Sequence, residues 1–108
     1  MFVQVRRFII QEGQGDKALE DFQRKASEGP SIVEQQPGFL GRELLRKKVR
    51  RGEEEALMII RWESEEAWKN WEKSPEHIAG HKAALQEGKP KRPDYILDMQ
   101  VSNYTVVD

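Results

Sequence analysis

The stretch Phe2-Val3-Gln4-Val5-Arg6-Arg7-Phe8-Ile9-Ile10 decides how the chain folds. It is rich in β-branched and aromatic residues and reads as a strand. Side chains alternate between the two faces of a strand. Phe2, Gln4, Arg6, Phe8 and Ile10 therefore point one way, and Val3, Val5, Arg7 and Ile9 the other. Each face is an apolar row interrupted by one arginine. That pattern predicts a strand covered on both faces, with one polar group aimed at something on each side.

Downstream, Gly13-Gln14-Gly15 is a turn and Asp16 suits a helix N-cap. Ala18, Leu19, Phe22 and Ala26 then form one helical stripe. Gly29-Pro30 ends or bends that helix, and Ile32 and Val33 fit a further short turn. After the Pro37-Gly38 turn, Phe39 to Val49 reads as a strand, reversed at Arg51-Gly52, with Ala56 to Trp62 as its partner. The hairpin loop should exceed two residues. Ser64-Glu65-Glu66 opens a second helical region with a hydroxyl cap and acids in the first turn, where the helix dipole favours them. Ser74-Pro75-Glu76 is a second start signal, with proline at the first helical position, and that helix runs to about Gln86. Gly88 to Pro93 is a loop, and Tyr95 to Val107 a last strand.

The order is β-α-β-β-α-β, that of a ferredoxin-like α+β sandwich with helices on one face of an antiparallel sheet. The 108 residues are expected to form one domain spanning 1–108. The last strand is long, and one sheet face would be open. Both predict a homodimer in which open faces meet and the C-terminal strand pairs across, a dimeric α+β barrel.

Composition narrows the function. No run approaches the roughly 20 apolar residues of a membrane span. The N-terminus lacks a signal-peptide pattern, and the sequence has no cysteine, so a cytoplasmic protein is expected. Disulfides, thiolate nucleophiles and cysteine-bound metals are excluded. A net charge of −1 gives no general attraction to nucleic acid, and no nucleic-acid motif is present. Positive charge is local, in Arg46-Lys47-Lys48-Val49-Arg50-Arg51 and Lys89-Pro90-Lys91-Arg92. Glu53-Glu54-Glu55 follows the first cluster, which reads as a charge-balanced hairpin tip or as a receiver of an anionic partner.

The two histidines, His77 and His81, lie four apart on the helix after Pro75 and project to one side. His81 falls inside the stripe Ile78, His81, Ala84, Leu85, with His77 on its edge. His81 is either a core histidine bonded to a carbonyl or a ligand, since neutral imidazole suits iron and zinc. A two-histidine zinc site lacks a third ligand, for Glu76 is poorly placed. Trp62, Trp68 and Trp71 read first as core. Trp71 differs in standing just before the break at Lys73-Ser74-Pro75, where a flat aromatic can wall a pocket that His81 closes. No phosphate loop, nucleophile elbow or nucleophile–base pair is present. Any chemistry should belong to a bound molecule.

The stretch from Ile60 through Trp62, Ser64, Ala67, Trp68, Trp71 and Pro75 to His81-Lys82 resembles the central segment of haem-degrading monooxygenases of the IsdG/HmoA type. These belong to the antibiotic-biosynthesis-monooxygenase superfamily of dimeric ferredoxin-like domains. The likeness extends to the opening strand and the Gln36-Pro37-Gly38-Phe39 turn. The histidine ten residues after Trp71 is its most specific mark. The resemblance implies haem as both substrate and cofactor, molecular oxygen, an external electron donor such as a reductase, and oxidative ring opening with release of iron. It makes His81 the iron ligand and places Trp71 beside the haem. The family's distal asparagine matches Arg6, a departure, because arginine is longer, charged and has no acceptor. Arg6 could meet a propionate or the bound oxygen, or fill the pocket. Two other readings of the same pocket are a cofactor-free monooxygenase acting on a polycyclic or quinol-like substrate, and a non-catalytic haem-binding dimer.

Overall fold

The computed structural model describes residues 1–27, 32–86 and 93–107, so the expected break at Gly29-Pro30 and most of the Gly88–Pro93 loop, with its basic cluster, lie outside the described residues. Strand β1 is Phe2–Ile10, helix α1 Gly15–Ser27, β2 Phe39–Arg46, β3 Glu54–Trp62, α2 Glu65–Glu72, α3 Pro75–Gln86 and β4 Ile96–Thr105, with a 3-10 turn at Val33–Gln35. The sheet order is β2-β3-β1-β4. β1 pairs antiparallel with β3, Phe2 opposite Trp62 and Ile10 opposite Glu54. On its other side it pairs antiparallel with β4, Phe2 opposite Thr105. This is the ferredoxin-like α+β arrangement that the element order predicts.

The even-numbered face of β1 meets the helices. Phe8 and Ile10 pack with Ala18, Ala56 and Ile96, and Phe22, Leu44, Met58 and Tyr95 close over them. Phe2 packs with Ile60 and Trp62, covered by Val33, Phe39, Ala67, Trp68 and Trp71. Burying a side chain as large as Trp62 or Ile10 contributes about 2 kcal/mol; both are fully buried. Met58 touches both clusters. On β1 the residues between them are Gln4, which is buried, and Arg6, which is half-buried.

Several boundaries differ from those expected. Helix α1 begins at Gly15, so Asp16 lies in its first turn instead of capping it. Glu54 of β3 serves part of the capping role, because the Gly15 N–H donates to its Oε2 at 2.8 Å. A β-carbon at Gly15 would collide with that carboxylate and with Arg46. Arg46 then spans Asp16 (2.6 Å) and Glu54 (2.7 Å), tying the hairpin to α1. β2 stops at Arg46, short of the expected Val49, because the like-charged run that follows gains nothing from pairing beyond Lys47 N–H to Glu55 C=O at 3.0 Å. Tyr95 stands outside β4, in a turn closed by the Ile96 N–H donating to the Pro93 C=O at 3.1 Å, and its hydroxyl donates to Asp21 of α1. That contact and burial together push its pKa up to about 12, burial first. Ile78, expected in the inward stripe of α3, is 45% exposed.

The Arg46 guanidinium, and then the Gly15 N–H, hold the Glu54 carboxyl below the usual carboxylate range. A depressed pKa stabilises the fold above the unfolded-state pKa and loses that effect as pH falls through the folded value. Glu54→Gln should therefore cost roughly 1–2 kcal/mol in urea unfolding at neutral pH. The difference from wild type should shrink towards zero as the acid limb is approached.

Candidate functional site

Arg6 and Arg7 are neighbours on β1 with opposite circumstances. Arg7, on the open face, donates through Nε (3.0 Å) and Nη2 (2.8 Å) to Glu55 Oε1, and through Nη1 to Gln100 at 3.3 Å. The Glu55 contact raises the Arg7 pKa and lowers that of Glu55. Arg6 points to the helix side. Its Nε is buried without a hydrogen-bond partner, and among the described residues its guanidinium makes no hydrogen bond or ion pair. Burial lowers its pKa; Glu72 attracts the charge and Arg42 repels it. Each of those neighbours has its own close contact. Glu72 Oε2 lies 3.1 Å from His77 Nε2, and Arg42 Nη2 lies 2.5 Å from Glu34.

The helical side of the site is set by its caps and by one glycine. Ser64 Oγ accepts from the Ala67 N–H at 3.1 Å, and Ser74 Oγ accepts from the His77 N–H at 3.2 Å. Both starts match the sequence signals. Gly38 has φ +86°, and a β-carbon there would lie 2.5 Å from Cβ of Ala67. The Pro37-Gly38 turn can therefore close directly on α2, which sets the distance of that helix from the sheet. From α2, Trp68 packs on Phe2 with ring centroids 5.0 Å apart. Trp71 packs on the Phe2–Ile60–Trp62 cluster and meets the His77 ring at 4.8 Å, the planes inclined by 73°. The indole Nε1 of Trp68, like that of Trp62, is buried without a partner among the described residues.

The structure thus gathers Trp71, His77 and Glu72 into one contact group, with Glu72 facing Arg6 from across the helix–sheet boundary. His81 lies in α3 four residues beyond His77, and its side chain is outside the described set. Glu72 and Arg42 were not singled out by the sequence. The Glu72–His77 pair spans the break before Pro75, so no helical spacing rule could find it. Arg42 is brought beside the site by sheet register, opposite Ile60, which is itself opposite Gln4.

A surface recess of about 370 Å³ lies between the Pro37-Gly38 turn and α2, with Trp71 on its border. Glu63 and Glu66 line it, and Arg6 and His77 do not. Its carboxylates suit neither an anionic nor a flat apolar ligand. The chemistry-bearing groups lie elsewhere, on the helix-facing side of the sheet.

The antibiotic biosynthesis monooxygenase family matches residues 1–83. The chain belongs to that family. It is 52% identical over 106 residues to the haem-degrading monooxygenase HmoA of Bacillus subtilis, covering 98% of this chain and 91% of that protein. It is 36% identical over 97 residues to the haem-degrading monooxygenase of Bacillus thuringiensis, covering 90% and 81%. Among solved structures it is similar to the haem degrader MhuD of Mycobacterium tuberculosis with two haems in its active site. That match has a TM-score of 0.69 and 27% identity, covering 99% and 96%.

Gly38→Ala should destabilise the protein by about 2 kcal/mol, through both the left-handed backbone and the clash with Ala67. It should also change the near-ultraviolet circular dichroism of the α2 tryptophans. Gly13→Ala is the control: it has φ +83° with open space around it. Only the backbone term applies there, at about 1 kcal/mol. Equal losses at the two sites would show that the Gly38–Ala67 approach does not set α2.

Proposed function

We propose that this protein binds haem on the helix-facing side of its sheet and degrades it oxidatively, with His81, Trp71 and Arg6 as the site residues. The observation that carries the reading is the 52% identity to HmoA along nearly the whole chain. The site's chemistry is compatible with such a ligand. Trp71 offers a flat apolar wall, and Arg6 offers donors on the sheet side that no described residue takes up. An imidazole at position 81, one helical turn beyond His77, is a suitable iron donor.

Bound haem would supply both the iron at which oxygen is reduced and the ring carbon that is oxidised, with electrons from an external donor. The protein's own work is to hold and orient. His81 would hold the metal as a neutral imidazole. Trp71, braced by the His77 ring, would lie against the bound ring, and the apolar clusters on either side of Arg6 would give it an apolar lining. Titrating the protein with hemin should produce a shifted Soret band that His81→Ala abolishes. With ascorbate and oxygen, that band should bleach in the wild type. Trp71→Ala should keep the band and slow bleaching about tenfold or more. A wild type that leaves free hemin unchanged would refute the reading.

We further propose that the functional unit is a homodimer of the single 1–108 domain, acting in the cytoplasm. No helix among the described residues is long and apolar enough to cross a membrane. Every residue of β4 after Ile96 is exposed, including Leu97, Met99, Val101 and Tyr104. The open face carries Val3, Val5, Ile9, Leu57 and Ile59, none of them fully buried. A second copy would cover both. Sedimentation equilibrium at micromolar concentration should return a dimer, and Ile59→Asp a monomer. A monomeric wild type would remove the proposal.

A further inference from the structure

We propose that Arg6 is an oxyanion receptor: its guanidinium takes an anionic oxygen of the ligand held on the helix-facing side of the sheet. The identity of that ligand as haem rests on the reading above; the receptor itself rests on Arg6 and its surroundings.

Three observations carry it. First, the pleat of β1 forces Arg6 to the helix side, between the two apolar clusters, where Arg7 cannot go. Second, the Arg6 Nε is buried without a partner, and no described residue hydrogen-bonds or ion-pairs with the guanidinium. Arg7, by contrast, is held by Glu55 and Gln100. Third, the two charges that face Arg6 are engaged elsewhere, Glu72 by His77 and Arg42 by Glu34. A half-buried guanidinium that no described residue pairs, with its Nε cut off from water, is costly. It presents five donors in a planar fork that fits carboxylate and other oxyanions, and it can accept nothing. An arginine of this kind is incomplete until an anion arrives. The asparagine implied at this position by the family resemblance offers a neutral donor and acceptor, so the exchange to arginine adds a charge-based selectivity.

Two sources could supply the anion: a carboxylate on the rim of the porphyrin, or an anionic ligand on the iron. Arg6→Asn and the near-isosteric Arg6→Met separate them. In the apo protein, Arg6→Met should raise the Tm by roughly 5 °C, since it removes a half-buried charge that no described residue pairs. A fall of that size would overturn the proposal, because Arg6 would then be a structural cation with a protein partner. Anilinonaphthalene sulfonate, a flat aromatic oxyanion, should bind the apo wild type and bind Arg6→Asn roughly tenfold more weakly. If the anion is a propionate, Arg6→Asn weakens hemin about tenfold and leaves hemin dimethyl ester unchanged. If it is an iron ligand, hemin affinity holds and fluoride binding to the ferric complex falls about tenfold. Sulfonate, hemin and fluoride affinities all unchanged in Arg6→Asn would also overturn it. Absence of a Soret shift in the wild type would defeat the haem reading instead, and the sulfonate and melting experiments would then decide Arg6 alone.

Discussion

The period-two pleat of β1 is the constraint on which the rest depends. Because β1 is hydrogen-bonded to β3 on one side and β4 on the other along its whole length, its register cannot slip without breaking two ladders. A slip of one residue would expose Phe2, Phe8 and Ile10 and bury Arg7. The same lock delivers one arginine to each face. Arg7 enters a solvated face where Glu55 and Gln100 wait for it. Arg6 enters the gap between two apolar clusters. A structural requirement, strict alternation in a central strand, therefore creates the electrostatic singularity of the site.

The helical side is attached to this strand by specific close approaches. Gly38 brings the β2-entry turn against Ala67, and Trp68 stacks on Phe2 at the end of β1. Ser74 restarts the helix immediately after α2, so Trp71 and His77 meet across the corner. The ring contact orients Trp71, and the Glu72–His77 pair fixes the corner from the opposite side. Trp68, Trp71 and His77 themselves stand on helices, which favours precise placement of a flat ligand.

Much of this was legible in the sequence, for identifiable reasons. Alternation in residues 2–10, the Ser64 and Ser74-Pro75 caps, and the Pro37-Gly38 turn are local signals, and each appears in the structure as read. The failures were non-local. Asp16 has the chemistry of a cap, but Glu54, which is 39 positions from Gly15, occupies the place. Ile78 has the spacing of an inward residue, yet the helix carrying it meets the fold chiefly through α2. Arg42 and Glu72 acquire meaning only when sheet register and the bend at Pro75 bring them towards Arg6. Of the groups gathered there, Trp71, His77 and Arg6 could be named from the sequence, but not Arg42 or the carboxylate of Glu72.

The contact between Gly15 and Glu54 also bears on the order in which the molecule can form. An isolated helix of the length of α1 is marginal in water. Here a donor of its first turn is satisfied by a residue of the third strand. The first helix of the chain therefore receives this partner only once the hairpin has closed and β3 has docked beside β1. During synthesis that contact becomes available only after residue 54 has emerged from the ribosome, so a local helix is finished by a distant part of the chain.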